Sequence, residues 1–151
     1  MKRDSRLSSV LHALLHMAEH DGLMTSDELA LCLGTNPVVV RRTMGLLRDA
    51  GIVSAVRGHA GGWQIAVDLG TITLRQLHEV LGEPAVFAIG NRSEETECRV
   101  EQAVNAALAD AFAEAEALLL QRFQNITLAE LAADFKRRPA ARHSKGGKHA
   151  I

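Results

Sequence analysis

The sequence predicts a mainly α-helical fold with one small β-hairpin: a winged helix-turn-helix domain followed by a long C-terminal dimerisation helix. Three observations carry that expectation. Apolar residues recur at the helical period through the first fifty residues, and glycines at 34 and 51 interrupt them. The period then switches to two on either side of Gly58-His59-Ala60-Gly61-Gly62, which marks a hairpin with a glycine-rich tip. Finally, an alanine-rich helical run from Arg99 to Phe123 is longer than a small domain needs to close its own core.

The elements follow in order. Leu7, Val10, Leu11, Leu14, Leu15 and Ala18 form one apolar stripe, and Gly22 closes this first helix. Ser26 is expected to cap a second helix, with Asp27 and Glu28 suited to its N-terminus; it runs through Leu29, Ala30 and Leu33 to Gly34. Asn36 caps a third helix and Pro37 fits its first turn, with Val40, Met44 and Leu47 facing inward and Gly51 as the stop. Two helices joined by a tight glycine-containing turn make a helix-turn-helix. Strands at 52–57 and 63–67 form the hairpin, which in that position is a wing. A threonine cap within Thr71-Ile72-Thr73-Leu74 opens a fourth helix that carries Leu77 and Val80 inward and stops at Gly82-Glu83-Pro84.

Residues 1–84 thus make the winged domain, and 85–98, without clear period, a loop. Residues 99–135 make the dimerisation helices. In the long one Val100, Val104, Ala107, Ala111, Ala115 and Leu118 form the interface stripe, widened by Leu108, Phe112 and Leu119. Eight alanines between Ala103 and Ala117 favour helix and allow a partner backbone to approach closely. Thr127 caps a last short helix through Leu131 and Ala132 to about Phe135. Residues 136–151 read as a disordered basic tail.

A chain of 151 residues, 47% of them hydrophobic, can bury one proper core. The two cysteines, Cys32 and Cys98, suggest neither a bridge nor a zinc knuckle, so a reducing, cytoplasmic setting is expected. The N-terminal helix is interrupted by His12, His16, Glu19 and His20, so neither a secretory segment nor a membrane contact is expected. A net charge of −1 argues weakly against a nucleic-acid partner, but the distribution says more. Arg41, Arg42, Arg48 and Arg57 fall on the third helix and the wing. Residues 94–116 hold seven acids against Arg99, and residues 136–151 hold six Lys or Arg and no acid.

With Val40, Met44 and Leu47 inward, the third helix offers Val38, Val39, Arg41, Arg42 and Gly45 to a major groove, with Ser26 nearby on the second helix. Arg41 is expected to read a base and Arg42 to grip phosphate, though the two roles are exchangeable. The plain alternative is a solvated face. On the wing, Gly61 and Gly62 need only be hairpin geometry, but Arg57 and His59 suit the thin tip to a minor groove. Trp63 reads as the packing anchor of the hairpin. His12, His16 and His20 share a helix face, either a polar surface or a chelating pair, and no metal site is expected. For Cys98, neighbouring carboxylates oppose the thiolate and the helix N-terminus favours it, so a sensor thiol and an inert one both stand. Cys32 is expected in the core. The basic tail is a solvated end or a salt-sensitive DNA clamp. Neither a phosphate loop, nor a nucleophile with a base motif, nor paired carboxylates are recognisable, so no enzyme is expected.

From Val38 to Pro84 the chain resembles the Rrf2 family of bacterial winged-helix regulators. The specific marks are Leu47-Arg48-Asp49-Ala50-Gly51, the wing Val56-Arg57-Gly58-His59-Ala60-Gly61-Gly62-Trp63 and the run Thr71 to Pro84, with a later echo at Asn125-Ile126-Thr127-Leu128-Ala129-Glu130-Leu131. The resemblance implies a homodimer acting on transcription, as a repressor, at a palindromic operator in double-stranded DNA; the effector is left open. Cluster-binding members carry three cysteines before the long helix, whereas here that loop offers Cys98 alone. No cofactor is therefore expected, because one thiolate leaves most of a conventional iron-sulfur ligand set unfilled. A cluster completed by His12 or His16 of a partner subunit is the alternative. Two other readings stand beside this one: a winged-helix assembly module without DNA readout, and a redox-sensing regulator that uses Cys98.

Overall fold

The computed structural model describes residues 4–87 and 95–139. The order is α1 (Arg6–Glu19), α2 (Ser26–Leu33), α3 (Pro37–Asp49), β1 (Val53–Val56), β2 (Gly62–Ile65), one 3-10 turn (Leu69–Thr71), α4 (Leu74–Val80), α5 (Arg99–Gln124) and α6 (Leu128–Arg137). The expected fold class stands, with element ends displaced by a few residues. α6 extends to Arg137, into the segment expected to be tail, and residues 140–151 lie outside the described residues.

Three helices start with the same local device, a threonine followed three residues later by Glu or Gln. Thr25 Oγ1 accepts from the Glu28 N–H at 3.2 Å, and the Glu28 carboxylate accepts from the Thr25 N–H at 2.7 Å. Thr73 with Gln76 and Thr127 with Glu130 repeat the box at α4 and α6. The expectation for Ser26 is corrected here: Thr25 is the cap, and Ser26 is the first helical residue. An acceptor on N3 can reach back to only one residue, and Glu28 stands three positions after Thr25. α3 opens as expected, with Asn36 Oδ1 accepting from the Val38 N–H at 2.8 Å and Pro37 in the first turn.

β1 and β2 pair antiparallel, Val53 opposite Ile65 through Val56 opposite Gly62. Met24 extends this ribbon by one bridge: its carbonyl accepts from the Trp63 N–H at 2.8 Å and its N–H donates to the Trp63 carbonyl at 3.0 Å. A second bridge joins the caps of α4 and α6. There Leu74 N–H donates to Ile126 O at 3.0 Å and Leu128 N–H to Ile72 O at 2.8 Å.

One core gathers Val10, Ala13, Leu14 and Met17 of α1 with Leu29, Val40, Met44, Leu47, Ile52, Val53, Trp63, Ile72, Leu77 and Leu128. On α1 the buried line is centred on Val10, Ala13, Leu14 and Met17, while Leu7, Leu11 and Leu15 pack on its flank. The stripe is shifted because α1 is covered from several sides, by α2, β2, α4 and α6. Leu128 is fully buried, so α6 returns to the winged domain, and Lys136 Nζ lies 3.3 Å from the Glu19 carboxylate of α1. Cys32 is corrected from core to surface. α2 buries only Leu29 and Ala30, so the next positions, Leu31 and Cys32, face outward.

α5 behaves differently. None of its 26 residues is buried. Leu108, Phe112, Leu119 and Phe123 are half-covered, and α4 packs along the helix. On the other side Ala107, Ala111 and Ala115 are exposed, as are Val100 (73%), Val104 (49%) and Leu118 (69%).

Candidate nucleic-acid interface

α3 is held by Val40, Met44 and Leu47, all at 2% exposure or less, against α2 and β1. At 100° per residue this fixes the opposite face. Val38, Val39, Arg41 and Arg42 are exposed there, and Gly45 is half-buried. Among the described residues neither Arg41 nor Arg42 makes a hydrogen bond or ion pair; the next arginine, Arg48, is tied to Asp49 Oδ1 at 3.0 Å. A Cβ added at Gly45 would meet nothing within 4 Å, so the fold itself does not require glycine there.

The wing tip presents Arg57 and His59, both exposed, and Arg57 also has no partner among the described residues. Gly58 holds a φ of 106°, which favours glycine, and the Gly61 N–H closes the tip on the Gly58 carbonyl at 3.1 Å. A Cβ on Gly61 would run into the Val56 carbonyl oxygen, and one on Gly62 would stand 2.8 Å from Met24 O. Gly61 is thus explained by the hairpin turn itself and Gly62 by the close approach of the Leu23-Met24 segment to the hairpin. What the tip offers outward is Arg57 and His59.

Ser26 is half-buried, and its hydroxyl oxygen accepts from Trp63 Nε1 at 3.0 Å. That bond pins the wing to the start of α2. Sequence reasoning placed Trp63 as an anchor and missed its partner, because a contact across 37 positions leaves no local pattern.

Cys98 is exposed at the N-cap of α5. It makes no capping hydrogen bond, yet the backbone N–H groups of Glu101, first, and Val100 hold its thiol below the usual range. Of the two opposing influences the helix N-terminus prevails. The Glu101 carboxylate is turned to the Thr96 hydroxyl, which donates to it at 2.8 Å. Cys98 and Cys32 stand on different helices, and the described residues contain no group of three or more His, Cys, Asp or Glu placed to hold a metal ion. This donor set does not fit a conventional cysteine-ligated cluster.

His12 and His16 are exposed with their Nε2 atoms 2.9 Å apart, and His20 caps the C-terminus of α1. His78 escaped the sequence reading. It is 5% exposed, donates from Nε2 to Pro84 O at 3.0 Å, and its Nδ1 has no partner among the described residues; its ring meets Phe123 of α5 edge-on. Its position on the inner face of a short helix looks like any polar residue until α5 covers it. Among the described residues no helix is long and apolar enough to cross a membrane.

Comparison with known proteins identifies this arrangement. YwnA of Bacillus subtilis (strain 168), named as an HTH-type transcriptional regulator, is 30% identical over 110 residues, covering 72% of this chain and 80% of its own. A transcriptional-regulator structure from Lactobacillus plantarum superposes with a TM-score of 0.75 at 25% identity, over 89% of this chain and 91% of that one. IscR of T. potens gives 0.66 at 18% identity over 93% and 94%, a likeness of fold. The family model Rrf2, described as iron-dependent transcriptional regulator, matches residues 3–134, so the chain belongs to the Rrf2 family of DNA-binding, winged-helix transcription regulators.

Proposed function

We propose that the protein is a homodimeric, sequence-specific regulator, a repressor, that reads a palindromic operator with α3 in the major groove and the wing in the minor groove. One observation carries this reading: Arg41 and Arg42 project from the solvent face of a helix whose other side is fully anchored, and neither is used within the described chain. Guanidinium groups left free in that way are matched to base edges and phosphates. Gly45 agrees with it. Glycine inside a helix costs about 1 kcal/mol relative to alanine, nothing among the described residues asks for it, and a closely approaching DNA backbone would. Arg57 and His59 supply the minor-groove contact, and Ser26 one phosphate contact through its hydroxyl proton. The exposed stripe of Val100, Val104, Ala107, Ala111, Ala115 and Leu118 joins two copies, which sets two recognition helices on one duplex. The division into a winged unit over 1–84 and a dimerisation segment over 99–135 follows from this, with α6 serving as the tie between them. The regulator works in the cytoplasm and without an iron-sulfur cluster.

Selection from random duplexes tests the reading. A two-fold symmetric motif is expected, relaxed at one position per half-site by Arg41→Ala and weakened evenly by Arg42→Ala. Enrichment of no motif, with affinity indifferent to both changes, would leave a winged-helix module that assembles proteins. A second reading is favoured by the lowered pKa of the exposed Cys98, namely an operator affinity that responds to thiol oxidation. Equal affinity of reduced and oxidised protein, or the same response in Cys98→Ala, removes it.

A further inference from the structure

We infer that His12 and His16 form a chelating pair for a late first-row divalent metal ion that prefers right-angled coordination, Cu2+ or Ni2+. The two residues lie one turn apart on the exposed face of α1, where both rings are open to solvent and neither serves the core or the arginine-bearing face. Their Nε2 atoms are 2.9 Å apart and their ring centroids 4.7 Å.

These two distances discriminate between arrangements. With metal–nitrogen bonds of about 2.0–2.1 Å, two ligands in adjacent positions at 90° have nitrogens about 2.9 Å apart and ring centres about 4.5 Å apart. Tetrahedral ligands, as zinc prefers, would stand at about 3.3 and 5.2 Å. A straight N–H···N bond would allow the observed nitrogen separation but would hold the ring centres at about 5.2 Å. The observed pair excludes a collinear arrangement and matches two rings canted towards a common point beside both nitrogens. A cation there would take the place of the shared proton, and an octahedral or square-planar ion would complete its shell with water. The described residues supply no third ligand, so the site is an open, exchangeable one. It lies apart from Cys98, and it makes α1 the element that a bound ion would stiffen.

The test uses the full chain carrying Cys32→Ser and Cys98→Ser, so that thiols do not compete. Titration with NiCl2 is followed by calorimetry, and a Cu2+ sample by electron paramagnetic resonance. The expected result is tighter Ni2+ binding than in His12→Ala or His16→Ala, by at least the ~10-fold that loss of an outer-shell partner alone costs. Two coupled nitrogens should appear in the Cu2+ spectrum and fall to one in either variant. His20→Ala should change neither readout. Ni2+ affinity and Cu2+ spectra that are the same in wild type, His12→Ala and His16→Ala, with folding verified by circular dichroism, would overturn the assignment and leave the pair as a hydrogen bond between two imidazoles.

Discussion

Helices α3 and α5 are both amphipathic, and the chain treats them in opposite ways. α3 has 13 residues and buries Val40, Met44 and Leu47 almost completely, leaving arginines outside. α5 is twice as long and buries nothing, with Val100, Val104 and Leu118 on its outer side. The apolar face of α3 is satisfied by α2 and β1 within the same chain. That of α5 has more surface than α4 can cover, and water is a poor neighbour for the remainder. An element finished within the chain turns a polar face outward, free for a charged ligand. One left unfinished keeps apolar surface for a partner, and in the proposed dimer that partner is a second copy.

Charge placed on the unfinished face is the strongest way to break this comparison. Val104→Glu should dissociate the proposed dimer, because an unpaired buried charge costs about 3–5 kcal/mol and two-fold symmetry introduces it twice. Sedimentation should then give the mass of one chain, and operator affinity should drop as the two half-sites lose their linkage. A variant that still sediments as a dimer would show that α5 associates through another face.

Truncation inside α3 should act on folding instead. Leu47, at 0% exposure, should cost about 2–5 kcal/mol when replaced by alanine. Leu118→Ala, which removes as many atoms from α5, should leave the unfolding of the dissociated chain nearly unchanged and weaken only association. Thermal unfolding at several protein concentrations separates the two effects. Equal losses in the dissociated chain would mean that Leu118 is covered intramolecularly.

The outward face of α3 should answer in binding alone. Arg41→Ala should cost roughly 1–3 kcal/mol at the operator, and Arg42→Ala should lower the salt slope by about one. Neither should move the melting temperature beyond the small change usual at a surface site. A large fall in stability from either would show that the guanidinium groups hold the fold.

The same contrast explains what was legible in the sequence. α3 could be read almost to the residue, because its cap, its Pro37 and its buried line are all local signals. The long helix was legible as a helix and its outer stripe as apolar, since periodicity survives without a partner. At the start of α2 serine and threonine are both good caps, so Ser26 and Thr25 look alike in isolation; the repeated Thr-x-x-Glu/Gln-Leu of Thr25, Thr73 and Thr127 decides for Thr25. Cys32 reads as core in the sequence because cysteine is usually buried, a general preference overruled by a helix covered on one side. The Ser26 bond to Trp63, the covering of His78 by α5 and the strand-like pairing of Thr73 with Thr127 all join residues far apart in the chain. No window of sequence contains both members of such a pair.

The N-termini of the two helices give the smallest test. α3 is capped by Asn36, and Asn36→Ala should cost about 1 kcal/mol. α5 starts at Cys98 without a side-chain cap, so Cys98→Ser should raise the stability, by less than Asn36→Ala lowers it, if the hydroxyl reaches the N–H of Glu101. The two proteins should also differ in their dependence on pH. The thiol has a lowered pKa in the folded chain, so its thiolate favours folding: the contribution is complete above the ordinary thiol value and is lost as pH falls through the lower, folded one. Cys98→Ser removes the titrating group and with it this rise in stability towards alkaline pH. Denaturant unfolding of wild type and Cys98→Ser across that range measures the difference. A serine variant that is no more stable at neutral pH, and that keeps the alkaline rise, would mean that the N–H groups at the start of α5 are satisfied by Thr96 and water and exert no pull on the sulfur.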